Sequence, residues 1–507
     1  MERRGGRVPA SAPRILCQEL TASRTTRRRF LEGGLSAAAL VSLGSECRSG
    51  PYEARKPADR PNLVVIVIDT LRADHAYGRR AKTPNIDGLS REGVTFTRVH
   101  PEAMPTVPAR NALLTGRRMF PFRAWHPYDG LPEFPGWAPI DDVGEVFTTV
   151  LRRAGYWTGY VTDNPFLGFA RPYERFRRSF DRFVRRGGQV GGRSSGVSAA
   201  ELRRWLPHWL EREPDLKERV VRYLANGRYS HDEARSFSAR VFRSAADLLA
   251  AGARRRPFVL VVDTFEPHEP WTPPRHYVDM YGDPDYRGVE PVRQLNLPVS
   301  RYLHDDERAL MLGRMRALYA AEVTMTDRWL GVFLDRLHDL RLAGETVVVL
   351  VSDHGFYLGE HGFTGKLHKV LHPELTHVPL ILVDPARRRA GEGSAYRAST
   401  HDIAPTLLSM VDVEAPPAME GADLSRLLAG SSPPDRAYSY GGYSNSFYIR
   451  SDAWAMFAEN RPAAFRLFDL RQDPGEHRDV AGAHPELVRR LHAEVRDRAG
   501  GRLPFYA

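Results

Sequence analysis

Four ionisable side chains of this chain, Asp69, His268, Asp353 and His354, stand at positions where a divalent cation could collect them. Each follows a short apolar run. Residues 63–68 read Leu-Val-Val-Ile-Val-Ile and end at Asp69. Residues 258–262 read Phe-Val-Leu-Val-Val and lead to Asp263, then to Pro267-His268-Glu269-Pro270. Residues 346–351 end in Ser352-Asp353-His354-Gly355. One aspartate after such a run is usually a helix cap. Three runs ending in carboxylates and imidazoles point instead to a common site. Two carboxylates and an imidazole suit one divalent ion. Mg²⁺ and Ca²⁺ favour oxygen ligands, and a histidine extends the candidates to Mn²⁺ and Zn²⁺.

The elements that must position these groups follow from the pattern. Continuous β-branched runs of five or six residues are too short for substantial helices and read as strands buried on both faces. Between them lie helical stretches at 239–251 and 311–337. Strands alternating with helices predict an α/β fold, with a mostly parallel central sheet flanked by helices on both faces. Such sheets bind ligands beyond the carboxyl ends of their strands, where these residues fall.

The motifs extend beyond those ends. Asp69-Thr70-Leu71-Arg72-Ala73-Asp74-His75 is followed by Thr83-Pro84-Asn85-Ile86-Asp87, then by Thr106-Val107-Pro108-Ala109-Arg110 and Ala112-Leu113-Leu114-Thr115-Gly116-Arg117. Further on come Gly359-Glu360-His361-Gly362, Gly365-Lys366, Asp402-Ile403-Ala404-Pro405-Thr406 and Leu467-Phe468-Asp469-Leu470 with Asp473-Pro474-Gly475-Glu476. In order and spacing this set resembles the sulfatase family of the alkaline phosphatase superfamily, from residue 61 to the end. The resemblance implies a catalytic domain over 61–415, with a poorly matching insertion near 170–235, and a smaller α+β C-terminal subdomain over 416–507. It implies Asp69, Thr106, Asp353 and His354 as metal ligands, and Thr106, Arg110, His268 and Lys366 as catalytic groups. His361 and His368 read as structural loop residues. The insertion, with Trp205 and Trp209, and the region after about 415 are expected to wall the pocket.

Three departures from the family pattern matter. Thr106 occupies the position of the Cys or Ser that becomes formylglycine, and its β-methyl blocks that oxidation. Asp69-Thr70 replaces a pair of aspartates. Thr162-Asp163-Asn164-Pro165 stands where a Lys-x-His pair is expected. Ser432-Pro433-Pro434-Asp435-Arg436 satisfies a Ser-x-Pro-x-Arg pattern but follows no strand and reads as coincidence. The residues that remain are similar to the set in phosphoethanolamine transferases and lipoteichoic acid synthases, relatives with a threonine nucleophile. A hydroxyl coordinated to a divalent ion can attack directly. With a helix starting near Pro108, Arg110 would lie close to Thr106. The expected activity is hydrolysis of sulfate, phosphate or phosphonate esters through Thr106. Transfer to an acceptor alcohol is the alternative within the superfamily, and a non-catalytic module for anionic glycans is the alternative outside it.

Composition narrows the partners. The formal charge is +11, but residues 1–60 alone hold 12 Lys and Arg against 6 Asp and Glu. The remainder mixes its charges, which argues against a nucleic-acid partner and leaves an anionic ester, glycan or lipid derived, as the expected one. No apolar run is long enough to span a membrane. Thr26-Arg27-Arg28-Arg29-Phe30-Leu31 before a small-residue apolar stretch resembles a twin-arginine signal. Residues 1–47 are thus expected to be an export signal and 48–60 a linker, for a periplasmic or extracellular protein. Cys47 is a candidate lipidation site, and with Cys17 it completes the cysteines, so no disulfide framework forms in the body.

Overall fold

The computed structural model describes residues 60–507 apart from 79, 191, 193, 194, 228–231 and 463. The expected export signal, the linker up to residue 59 and both cysteines lie outside the described residues.

The apolar runs form strands Asn62–Ile68, Phe258–Thr264 and Thr346–Ser352, each buried along its whole length. They are the centre of an eight-stranded sheet. Its order is Gly393–Ala398, Val94–Val99, Leu380–Val383, Thr346–Ser352, Asn62–Ile68, Phe258–Thr264, Trp157–Thr162 and Arg182–Arg185. All neighbours are parallel except Leu380–Val383, which is antiparallel to both of its partners. Side chains alternate between faces. Val64, Ile66 and Ile68 pack with Phe242, Leu249, Leu318 and Met325 of helices Phe237–Gly252 and Asp305–Asp339. Leu63, Val65 and Val67 pack with Val107, Leu113, Phe147 and Leu407 of the opposite helical layer. Each such side chain contributes about 1.5–3 kcal/mol when fully buried.

Register decides the site. Ile68 pairs with Thr264 on one side and with Ser352 on the other, so the three central strands end flush. Asp69 and Asp353 then leave the sheet side by side.

A second sheet is built from strands Phe465–Asp469, Trp454–Glu459, Ser446–Arg450 and Ser439–Tyr443, antiparallel throughout, with Ala103–Met104 added in parallel at its edge. Helix Pro485–Arg498 buries Val488, Leu491 and Val495 against it. Gly441 permits the edge pairing, since a Cβ there would stand 2.3 Å from the Glu102 carbonyl oxygen. The two-residue edge strand ends just before the helix that carries Thr106, which couples the C-terminal sheet to the site. Among the described residues no helix is long and apolar enough to cross a membrane.

Candidate active site

Thr106 is the first residue of helix Thr106–Thr115. The helix thus starts two residues earlier than the sequence suggested. Pro108 is accommodated because the first-turn N–H groups of a helix have no intrahelical partner. The early start places the helix N-terminus, with its partial positive charge, at the Thr106 hydroxyl. One turn later, Arg110 returns to the same face, and its Nη1 donates to the Thr106 carbonyl at 3.2 Å.

Around this hydroxyl gather the strand-end residues. Thr106 Oγ1 is 3.5 Å from His354 Nε2. His354 Nε2 stands 3.6 Å from Asp353 Oδ2 and 4.0 Å from Asp69 Oδ1. One ligand atom from each of Asp69, Asp353 and His354 lies within 4.8 Å of the others, and all three side chains are buried. Bonds of about 2.0–2.6 Å to a divalent ion place neighbouring ligand atoms about 3–4 Å apart, so the spacing fits one. Two further observations agree. Neither oxygen of Asp69 receives a hydrogen bond, although both are buried. His354 Nδ1 faces the Gly355 carbonyl at 2.9 Å, which makes Nδ1 the donor and leaves the Nε2 lone pair toward the carboxylates. Gly355 allows the tight turn, since a Cβ would meet the Glu374 carbonyl oxygen at 2.0 Å.

The electrostatics point the same way. Burial, reinforced by the charge of Asp353, pushes the Asp69 carboxyl well above its usual range. Burial also disfavours ionisation of Asp353, but His354 and Arg110 outweigh it and hold that carboxyl far below the usual range. Burial lowers the His354 pKa and favours the neutral imidazole that a metal ligand must be. Such a pair of facing carboxylates carries a surplus of negative charge that a cation relieves.

Arg110 is itself buried among three carboxylates. Its Nη1 is 2.5 Å from Asp353 Oδ2, and its Nη2 is 3.1 Å from Asp69 Oδ2 and 2.7 Å from Asp263 Oδ1. Asp263 also accepts from Arg110 Nε at 3.1 and 3.2 Å, and from the Tyr160 and Thr162 hydroxyls at 2.8 and 3.2 Å. In the sequence Asp263 marks only a strand end. The signal was a lone carboxylate in an otherwise apolar buried strand.

His268 and Lys366 form a second group. Lys366 Nζ is 2.9 Å from His268 Nε2 and 3.0 and 2.9 Å from the two oxygens of Glu269. His268 Nδ1 lies 2.6 Å from the Glu269 carbonyl oxygen. Burial takes the His268 pKa well below its usual value, and the Lys366 and Arg293 charges add to the effect against the pull of Glu269. A neutral His268 with Nδ1–H donating to that carbonyl accepts from Lys366 at Nε2. The charge of Lys366 is felt at Asp69 and His354, so the two groups share one electrostatic site. Glu269, which no motif singles out, anchors both Lys366 and Arg293.

Thr70 stands where the family pattern has a second aspartate. It holds φ at +57°, a left-handed conformation costing a β-branched residue about 1–3 kcal/mol. The conformation is fixed by its N–H donating to Asp353 Oδ1 at 3.0 Å and by its carbonyl accepting from the Tyr319 hydroxyl at 2.6 Å. Its own Oγ1 is buried without a partner beside the cluster. Other expectations fall elsewhere. Arg436 of the Ser-x-Pro-x-Arg pattern pairs with Asp402, and the ring of His361 stacks on His372 at 3.7 Å. Trp205 and Trp209 of the insertion are buried in the core, and strand Arg182–Arg185 of that segment extends the main sheet.

Comparison with known proteins gives concordant matches. The sulfatase family profile matches residues 61–413, and that of the N-sulphoglucosamine sulphohydrolase C-terminal region matches 359–499. The multifunctional alkaline phosphatase superfamily protein PehA of Trinickia caryophylli is 27% identical over 85% of this chain and 93% of its own length. An arylsulfatase of Clostridium perfringens is 24% identical over 82% of this chain and 89% of its own. Among solved structures, the phosphonate monoester hydrolase SpPMH from Silicibacter pomeroyi superposes with a TM-score of 0.67. It shares 21% identity, covering 87% of this chain and 96% of that one.

Proposed function

The chain belongs to the sulfatase family of ester hydrolases, and on that premise we propose that it cleaves phosphate, phosphonate or sulfate esters with Thr106 as a direct nucleophile. The observation that carries this reading is the Thr106 hydroxyl at a helix N-terminus, 3.5 Å from His354 and in one cluster with the buried Asp69 carboxylate, neither oxygen of which accepts a hydrogen bond. A divalent cation held by Asp69, Asp353, His354 and the Thr106 hydroxyl would supply Lewis-acid charge neutralisation and lower the pKa of that hydroxyl.

The chain's own groups do the rest. Arg110, fixed by Asp263, donates Nη1 to the Thr106 carbonyl and to Asp353, and its positive charge beside the hydroxyl favours negative charge on the transferring group. Thr106 Oγ1 forms a bond to phosphorus or sulfur as the bond to the ester oxygen breaks, and the Thr106 proton is released. The departing oxygen takes a proton from the Lys366–His268 pair, whose position Glu269 sets. Water then attacks the same atom in line, restores the pair's proton and frees Oγ1, which is reprotonated.

Unlike a formylglycine hydrate, a threonine ester has no neighbouring hydroxyl to expel it, so the second step depends on that water. In-line displacement is well suited to phosphoryl centres, which favours phosphate and phosphonate esters. The names of PehA and of the phosphonate monoester hydrolase support the same range. We propose further that the protein is exported through its twin-arginine segment.

Purified wild-type, Thr106→Ser and Thr106→Ala proteins assayed on paired aryl phosphates, phosphonates and sulfates test the reading. Activity in the first two and none in the third is expected. Wild-type turnover by Thr106→Ala would remove Thr106 as the nucleophile.

A further inference from the structure

Two clusters of histidine and carboxylate among the described residues have the spacing of a metal site, and only one belongs to the chemistry above. The other lies on the surface, where the insertion meets the long helix. His208 opens the short 3-10 helix His208–Arg212. His304 directly precedes helix Asp305–Asp339, and Glu307 is in its first turn.

We infer that His208, His304 and Glu307 form a second, peripheral site for a d-block divalent ion such as Zn²⁺, which clamps the insertion to the catalytic body. One ligand atom from each residue lies within 4.8 Å of the other two. His208 Nε2 is 3.5 Å from Glu307 Oε1. Two ligands at about 2.0–2.2 Å from a tetrahedral ion are about 3.4 Å apart, so this pair already has the separation an ion imposes. The imidazole rings of His208 and His304 lie side by side, with centroids 5.3 Å apart and planes 16° from parallel.

The three ligands are held in place before any ion arrives. The ring of His208 meets that of Trp209 edge-on at 5.2 Å; Trp209 is buried, and its Nε1 donates to the Arg293 carbonyl at 2.9 Å. Glu307 Oε1 accepts from the His304 backbone N–H at 3.1 Å. Two imidazole nitrogens and one carboxylate oxygen select Zn²⁺, Ni²⁺, Co²⁺ or Cu²⁺ over Ca²⁺ or Mg²⁺, which favour oxygen-rich shells. Three protein ligands on an exposed surface leave the remaining position to water, so the ion would exchange readily. Its consequence is mechanical. Trp209 contacts Arg293, and Arg293 is paired with Glu269 of the active site.

The test counts ions. Chelator-stripped full-length protein is titrated with ZnCl₂ and analysed for bound zinc after gel filtration, alongside His208→Ala, Glu307→Gln and His354→Ala. Wild type is expected to hold one equivalent more than His208→Ala or Glu307→Gln. His354→Ala should lose a different equivalent and keep this one. Zinc should also protect the 199–212 segment from proteolysis in wild type and not in His208→Ala. Equal zinc content and equal protection in wild type and His208→Ala would overturn the proposal. The side chains of His208 and His304 are solvent-accessible, so unfolding in metal-free buffer should be the same for wild type and His208→Ala. That control separates ion loss from misfolding.

Discussion

Replacing Asp263 tests the electrostatic frame without touching a proposed metal ligand. Its carboxylate accepts from Arg110 at Nε and Nη2 and from two hydroxyls. Asp263→Asn keeps the shape but offers the guanidinium one oxygen and no charge, while its NH₂ must turn to the Tyr160 and Thr162 hydroxyls. The loss of one charge-assisted hydrogen bond amounts to about 1.5–3 kcal/mol. If Arg110 is held for the transition state, that loss lowers kcat about 10- to 150-fold and leaves KM nearly unchanged. Asp263→Ala removes every acceptor, and breaking a buried pair in this way costs about 3–5 kcal/mol of stability. Both variants should bind the divalent ion more weakly. A negative charge is gone, and Arg110 is free to pair more tightly with Asp69 and Asp353. The assays are steady-state kinetics on aryl phosphate and phosphonate esters, metal titration of stripped protein, and thermal unfolding. Wild-type kcat and metal affinity in Asp263→Asn, with normal unfolding of Asp263→Ala, would show that Asp263 does not hold Arg110 for the reaction.

Asp353→Ala and His354→Ala should each lose one bound divalent ion by elemental analysis and with it all activity, because each removes a ligand; full metal content in both would show the assignment to be wrong. Burial raises the Glu102 carboxyl to about 7, against the pull of Arg118 and the Met119 and Phe120 N–H groups. A folded-state pKa above the unfolded one gives stability that is complete below about pH 4.5 and lost as pH rises through about 7, on the order of 3 kcal/mol in all. The stability of Glu102→Gln relative to wild type should therefore rise across that window, and a constant difference in melting temperature would contradict the assignment. Replacing Arg27 and Arg28 by Lys should leave precursor in the cytoplasm, as read by cell fractionation; unchanged export would exclude a twin-arginine route.

The strands that lead to Asp69, His268 and Asp353 are legible because a continuous β-branched run has few other structures open to it. The class of sheet followed from their alternation with helices. What could not be read was lateral order. Asp263 reaches Arg110 because strand Phe258–Thr264 lies between Asn62–Ile68 and Trp157–Thr162, a neighbourhood that no local pattern encodes. The same limit hid the pairing of Glu269 with Lys366, nearly a hundred residues away. Helix start was missed by two residues because Pro108 is equally at home at either position of a first turn. The C-terminal sheet takes its edge from Ala103–Met104, a pair too short to carry any periodicity. Thr70 is a case of local preference overruled, a β-branched residue held at positive φ by Asp353 and Tyr319.

Direct attack by Thr106, as proposed, leaves a covalent trace. Wild-type enzyme mixed with excess aryl phosphonate or phosphate ester, quenched in acid within a turnover and digested, gives a peptide containing Thr106 for mass spectrometry. Unmodified threonine is expected before mixing and, after it, the mass of one phosphonyl or phosphoryl group on Thr106, absent from Thr106→Ala. No adduct in wild type, together with undiminished turnover by Thr106→Ala, would contradict direct attack.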